Sequence, residues 1–387
     1  MLDGERRGST NGCRLVPLSV LIAGGGTGGH LYPGIAVARE LMSRVPDAEV
    51  TFVGTAAGIE GRVVPREGFT LDVIRSAGLK GKSLQSIAQG VALLPLSALD
   101  AAQVISRRRP SIVIGVGGYS SGPVVLLAAL RGIPTLLMEQ NAMPGITNRL
   151  LSPVVNAAAV TYQESVRFFG GKSFVSGNPV RPEFFDTGGL KASGYQGEGA
   201  HANDSQPPGA ARVLVFGGSQ GAHAINVAMV EAAARLAAAA PRMAITHQAG
   251  ERDLDMVRDG YQRAGLEARV ESFLFAMDRE MKSADVVVCR AGATTLAELA
   301  AAGNASILVP LPTATDDHQR KNALALVSQG AAQMIEQREL TGDRLASAIV
   351  ALLGDPERRR RMSDAARRLA RPDAAKAIVD RVLALAR

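Results

Sequence analysis

The chain is short of cysteine, of aromatic residues and of long apolar runs, and each shortage excludes something. Its two cysteines, Cys13 and Cys289, lie far apart. They form neither a disulfide framework nor a metal-ligand spacing, and a reduced cytoplasmic setting fits them best. No run of about 18 apolar residues occurs, so no segment reads as a membrane span. The opening "MLDGERRGSTNGCRLVPL" is polar and has no apolar stretch of the signal-peptide kind; residues 1–16 read as a disordered extension. Aromatic residues are 4% of the chain, so its core must be aliphatic. No basic cluster is interleaved with aromatics, which argues against a nucleic-acid partner.

What is present suggests two domains. The 387 residues are 47% hydrophobic, enough for two ordinary cores. A net charge of +7 suits an acidic partner, whether phosphate, anionic lipid or nucleic acid, without choosing among them. Short β-branched runs alternate with helical patterns. Strands are expected at 18–23, 49–54, 111–116, 134–139, 157–162 and 172–177, then at 212–217, 243–248, 268–273, 284–289 and 305–310. Most are continuously apolar, as strands covered on both faces should be, and strand–helix alternation implies parallel α/β sheets. Between the halves, residues 186–211 are rich in Gly, Ser, Asn and Pro and read as a flexible linker. Beyond it "VLVFGGSQGAH" (213–223) echoes "VLIAGGGTGGH" (20–30), so each half opens with buried strand, glycine turn and helix.

In an open parallel sheet, ligands bind beyond the carboxyl ends of the strands. Seven unusual loops sit there: "GGGTGGH", "GGYSSGP", "EQNAMPGITNR", "GNPVR", "GGSQGA", "RAGATTLAE" and "PLPTATDDHQRKNA". Together they would rim one cleft between facing domains. Glycines let backbone N–H groups close on an anion at a helix N-terminus, or they merely make tight turns. Gly24, Gly26 and Gly29 satisfy G-x-G-x-x-G, but the next strand ends "FVGT" without the acid a dinucleotide ribose needs, which disfavours a nicotinamide or flavin enzyme. His30, at a helix N-terminus, is either a neutral general base, its pKa lowered by positive potential, or a structural histidine. Its echo His223 is expected to be structural. Glu298 either accepts ribose hydroxyls or caps a helix dipole. Arg181 either pairs with a diphosphate or makes a surface salt bridge. "TDDHQ" (315–319) lacks D-x-D spacing, so no protein-held metal is expected.

In this order, "GGGTGGHLYPG", "GVGGYSSGP", "QNAMPGITNR", "GNPVR", "GGSQGA", "RAGATTLAEL" and "DDHQRKNA" resemble the MurG family over about residues 18–385. These are N-acetylglucosamine (GlcNAc) transferases acting on undecaprenyl-pyrophosphoryl-N-acetylmuramyl-pentapeptide. The resemblance implies an α/β GT-B fold: two Rossmann-like domains with parallel sheets facing across a cleft. Residues 17–185 would form the acceptor and membrane domain and 212–370 the UDP-GlcNAc domain. A C-terminal helix within 371–387 would pack back toward the first. His30 would be the base. The donor would meet Thr27, Gly28, Gly29, Asn141, Arg181, Ser219, Leu274 (through its backbone), Ala293, Thr294, Thr295, Leu296, Ala297, Glu298 (on the ribose) and Gln319. Gly25, Gly26, Gly117, Gly118, Tyr119 and Ser120 would face the acceptor diphosphate.

The implied reaction is inverting sugar transfer in peptidoglycan synthesis, hence in cell shape and division, at the cytoplasmic face of the inner membrane. No tightly bound cofactor is expected, and a divalent cation would not be held by the protein. The resemblance names no protein partner in cell-wall synthesis. The alternatives are a GT-B enzyme glycosylating another membrane lipid such as diacylglycerol, and a non-catalytic sugar-nucleotide binder. For membrane contact, "GLKGKSLQSIAQGVALL" sets apolar residues at helical spacing beside basic ones; Leu79, Lys80, Lys82 and Leu84 are expected to touch anionic lipid.

Overall fold

A computed structural model of the chain describes residues 17–56, 58–76, 93–185, 211–218, 221–240 and 242–386. The extension at 1–16, nearly all of the 186–211 stretch, Ser219 and the membrane residues Leu79, Lys80, Lys82 and Leu84 lie outside the described residues.

The apolar runs build two parallel sheets. The first holds β1 (Ser19–Gly24), β2 (Glu49–Gly54), β3 (Thr70–Val73), β4 (Ile112–Gly117), β5 (Thr135–Glu139), β6 (Ala157–Val160) and β7 (Ser173–Val175), in the order 3-2-1-4-5-6-7. The second holds β8 (Ala211–Phe216), β9 (Met243–Gln248), β10 (Ala268–Glu271), β11 (Val286–Cys289), β12 (Ser306–Leu308) and β13 (Gln333–Met334), in the order 10-9-8-11-12-13. Each order reverses beside its first strand, the switch point where doubly wound sheets open a ligand crevice. The sequence echo therefore marks the same topological position in both halves. In the first sheet Ile22 pairs with Phe52 on one side and Ile114 on the other, and the register slips between Ala23 and Gly24 as β1 leaves the sheet for its glycine turn.

Two strands were not expected. The strand pattern missed β3 and β13. β3 is an edge strand whose Asp72 faces Arg107 and Arg108 instead of an apolar layer, and β13 is two residues long. Neither carries the continuous apolar run that revealed the inner strands.

The helices in chain order are α1 (Gly28–Arg44), α2 (Glu60–Arg66), α3 (Leu94–Arg108), α4 (Ser121–Leu130), α5 (Ile146–Leu151), α6 (His223–Ala239), α7 (Leu254–Arg263), α8 (Met277–Ser283), α9 (Ala293–Ala302), α10 (His318–Val327), α11 (Gly342–Leu353), α12 (Pro356–Leu369) and α13 (Ala374–Leu385). They cover both faces of each sheet with Val, Ile, Leu and Ala. The last helix does not stay with the second domain. Ile378, Val379 and Val382 of α13 are buried in the core that holds Ile22, Leu31 and Ile35, and Arg44 of α1 pairs with Asp380 at 2.6 Å. Full burial of each such side chain contributes about 1.5–3 kcal/mol, so the chain's end fastens the two domains together.

Candidate active site

The first glycine turn is built from backbone that side chains could not follow. Gly24, Gly25 and Gly26 all have positive φ. A β-carbon at Gly24 would stand 2.4 Å from the Gly117 carbonyl oxygen, and one at Gly118 would stand 2.6 Å from that of Gly25. The turns after β1 and β4 thus interlock, and Gly25 N–H donates to Gly117 O at 3.4 Å. Glu60 lies beneath them, buried, and its Oε2 accepts the Gly26 N–H at 2.8 Å. The N–H groups of Gly25 and Gly26 thus have partners inside the protein. Of the second turn, Tyr119 is exposed while Ser120 is buried at the start of α4.

His30 stands in the first turn of α1 with its ring against Gly117. The ring is half-buried. Its Nδ1 lies 3.1 Å from Thr27 Oγ1; the neutral ring carries one proton, and its other nitrogen keeps a lone pair. Burial first, and then the neighbouring His318, push its pKa down to about 4, against a smaller opposing hydrogen bond to Gly25. The ring is therefore neutral at physiological pH. The sequence reading named the helix terminus as the cause; burial and a second imidazole dominate instead.

In the second half, Gln248 at the end of β9 does for the turn after β8 what Glu60 does for the first. Its Nε2 donates to Gly218 O at 2.7 Å, and its Oε1 accepts the Leu274 N–H at 2.9 Å. Leu274, expected to meet the nucleotide base through its backbone, has its N–H on Gln248. The donor loop opens α9. Ala293, Thr294, Leu296 and Glu298 are buried; Thr295 and Ala297 are half-buried. Leu296 belongs to the apolar core, so its side chain is not at the site. Burial raises the Glu298 carboxyl to about 7, and nearby Arg181, with Nη2 3.8 Å away, only partly opposes the rise. Gln319 has its Oε1 on the Leu311 N–H at 2.9 Å. His223 is exposed with Nδ1 2.9 Å from Asp253, and Asp253 also receives Asn226 Nδ2 at 2.9 Å; that histidine supports the α6 terminus.

Residues from the two halves then meet. Pro33, inside α1, has no N–H for the carbonyl four residues earlier, that of Gly29. Thr294 Oγ1 of the second domain donates to that Gly29 oxygen at 2.7 Å and accepts from Asn178 Nδ2 at 3.2 Å. Asn322 of α10 accepts the Ala142 N–H at 3.2 Å, and its Nδ2 lies 3.4 Å from Asn141 Oδ1. Arg149 pairs with Asp316 at 2.9 Å. Arg181 stacks its guanidinium over the rings of Tyr32 (4.6 Å) and Phe184 (5.1 Å) while facing Glu298.

So Thr27, Gly29, His30, Arg181, Thr294 and Glu298 converge where α1 crosses α9, while Asn141 meets Asn322 of α10. Glu60, Gln248, Tyr32, Asn178 and Asn322 complete the region and were not singled out from sequence. Among the described residues no group of three or more acidic, histidine or cysteine side chains could hold a metal ion.

Two doubly wound halves that meet where α1 crosses α9, with a neutral imidazole on one wall and an arginine–carboxylate pair on the other, have the GT-B architecture of glycosyltransferases. Comparison with known proteins agrees. Residues 20–160 match the glycosyltransferase family 28 N-terminal domain and residues 212–378 its C-terminal domain. Proteins from Pelobacter propionicus and Anaeromyxobacter dehalogenans are each 48% identical. The first match covers 95% of this chain and 99% of the relative, the second 96% and 94%. Both bear the name UDP-N-acetylglucosamine–N-acetylmuramyl-(pentapeptide) pyrophosphoryl-undecaprenol N-acetylglucosamine transferase. The crystal structure of Acinetobacter baumannii MurG superposes with a TM-score of 0.70 at 29% identity, covering 95% of this chain and all of that one. The chain belongs to the MurG family.

Proposed function

We propose that this enzyme transfers GlcNAc from UDP-GlcNAc to the 4-hydroxyl of the muramyl sugar of undecaprenyl-pyrophosphoryl-N-acetylmuramyl-pentapeptide. The names of its relatives supply the substrates. The observation that carries the reading is His30: an imidazole kept neutral, at the junction of two sugar-nucleotide-type half-sites. The unprotonated ring nitrogen takes the proton from the acceptor hydroxyl, and the oxygen attacks the anomeric carbon of the donor. The electrons of the bond from that carbon to the diphosphate leave with UDP on the opposite face, so an α-linked donor gives a β-linked product. Main-chain amides of the turn after β8 and of the first turn of α9 receive the charge on the departing diphosphate, with no metal held by protein side chains. Glu298 takes the ribose hydroxyls, and Arg181 exchanges its carboxylate neighbour for the donor.

The acceptor is a lipid, so the enzyme works at a bilayer surface, peripherally and on the cytoplasmic side. Among the described residues no helix is long and apolar enough to cross a membrane. Leu94, Leu96 and Leu99 of α3 are exposed and present apolar surface that lipid would cover. The test is transfer of labelled GlcNAc from UDP-GlcNAc to the muramyl lipid and, in parallel, to diacylglycerol. Product on the muramyl lipid alone supports the reading; product on diacylglycerol alone replaces it.

A further inference from the structure

Glu60 is a carboxylate that the chemistry above does not use, yet the first glycine turn is shaped around it. It opens α2 and is 1% exposed. Oε2 accepts the Gly26 N–H at 2.8 Å; Oε1 accepts the Thr55 N–H at 2.9 Å and its hydroxyl at 2.8 Å. The space it fills exists because three surrounding residues lack a β-carbon. Built at Gly25, Gly54 or Gly58, one would come within 2.6, 2.6 or 2.2 Å of the Glu60 side chain. Those glycines come from the β1–α1 turn, the end of β2 and the β2–α2 turn. A buried carboxylate is tolerable only when it is hydrogen-bonded, and this one joins two separate turns.

The link leads toward the reacting group. Gly26 precedes Thr27, whose hydroxyl meets His30 Nδ1 at 3.1 Å. The second domain anchors its own turn with opposite polarity, Gln248 donating to the Gly218 carbonyl. There the anchor is neutral and holds a carbonyl; in the first domain it is a carboxylate and holds an N–H.

We infer that Glu60 is a positioning residue for transfer. Through Gly26 and Thr27 it fixes where the His30 ring points, and it withdraws the Gly26 amide from anion binding. The inference rests on His30 being the base. The test compares Glu60→Gln and Thr55→Ala with wild type. A carboxamide has a single acceptor oxygen and cannot serve Gly26 and Thr55 as two carboxylate oxygens do. For Glu60→Gln the expected loss of kcat at saturating substrates is about 10- to 100-fold, the scale of a misplaced reacting group. Its affinity for UDP-GlcNAc should stay within about twofold, as for a residue that acts only on the reacting step. Amide exchange across residues 24–31 should accelerate. Thr55→Ala removes a hydrogen bond to the same carboxylate without touching Gly26, so it should lose melting temperature but keep kcat. Wild-type kcat in Glu60→Gln, equal kcat losses in both variants, or unchanged exchange over 24–31 would overturn the inference. A wild-type enzyme that transfers nothing to the muramyl lipid would instead overturn the functional reading, and the exchange comparison would still decide whether Glu60 holds the turn.

Discussion

The surroundings of His30 fix a number that a pH profile can read. An unperturbed imidazole titrates near 6.5; burial and His318 bring this one to about 4. At pH 5.5 a ring with the ordinary value is only about 9% neutral, whereas one near 4 is about 97% neutral. The two cases differ about tenfold in active base at that pH. A base works when neutral, so lowering its pKa extends activity toward acid, and the loss should come only as pH falls through about 4. Glu298 titrates in the same range, near 7, but its charge bears on the donor and so should appear in the KM for UDP-GlcNAc. Saturating donor separates the two. Stability must be followed alongside. His30 and His247 are both lowered, the latter to about 3, again by burial. The unfolded chain therefore binds their protons first, and stability falls as pH drops from about 6.5 toward those values. The assay is the initial rate of labelled sugar transfer in mixed buffer from pH 5 to 8, at saturating donor, with the folded fraction checked by circular dichroism. A kcat at pH 5.5 close to that at pH 7.5 is expected. A fall to about a tenth with the enzyme still folded would mean that the working base has the ordinary histidine pKa.

Three further outcomes are expected. Thr294→Val strands the Gly29 carbonyl that Pro33 leaves open and should cost about 1–3 kcal/mol in urea unfolding; no measurable loss would mean that the contact is not closed in solution. Ile378→Ala empties a site between α13 and the first domain's core. It should cost about 2–5 kcal/mol and loosen amide exchange in the first domain, and a loss confined to the second would contradict the docking of α13. Exchanging Leu79 and Leu84 for Asp should weaken binding to anionic liposomes while leaving UDP-GlcNAc affinity unchanged; intact liposome binding would remove that segment from the membrane contact.

The inner strands and glycine turns were legible because continuous apolar runs and bare backbone are local signals, and the sheet order then sets them at the switch points. β3 escaped because Asp72 serves Arg107 and Arg108 at a sheet edge. Glu60 escaped because its meaning lies 34 residues back, at Gly26, and nothing within "AAGIEGR" distinguishes it from a surface acid. Asn322 meets Asn141 across 181 residues, a separation over which no periodicity carries information. The link from Pro33 through Gly29 to Thr294 follows from the missing N–H of proline, yet only the fold shows which hydroxyl takes its place. His30 shows the same limit: the residue was readable from its loop, but its partner His318 came from the other half.

The most direct test pairs two measurements on His30→Ala: transfer of labelled GlcNAc to the muramyl lipid, and equilibrium binding of UDP-GlcNAc. The expected result is a transfer rate reduced about 10²- to 10⁴-fold with donor binding unchanged. Wild-type turnover in that variant would contradict the assignment of His30 as the base, and with it the claim that sugar transfer takes place where α1 meets α9.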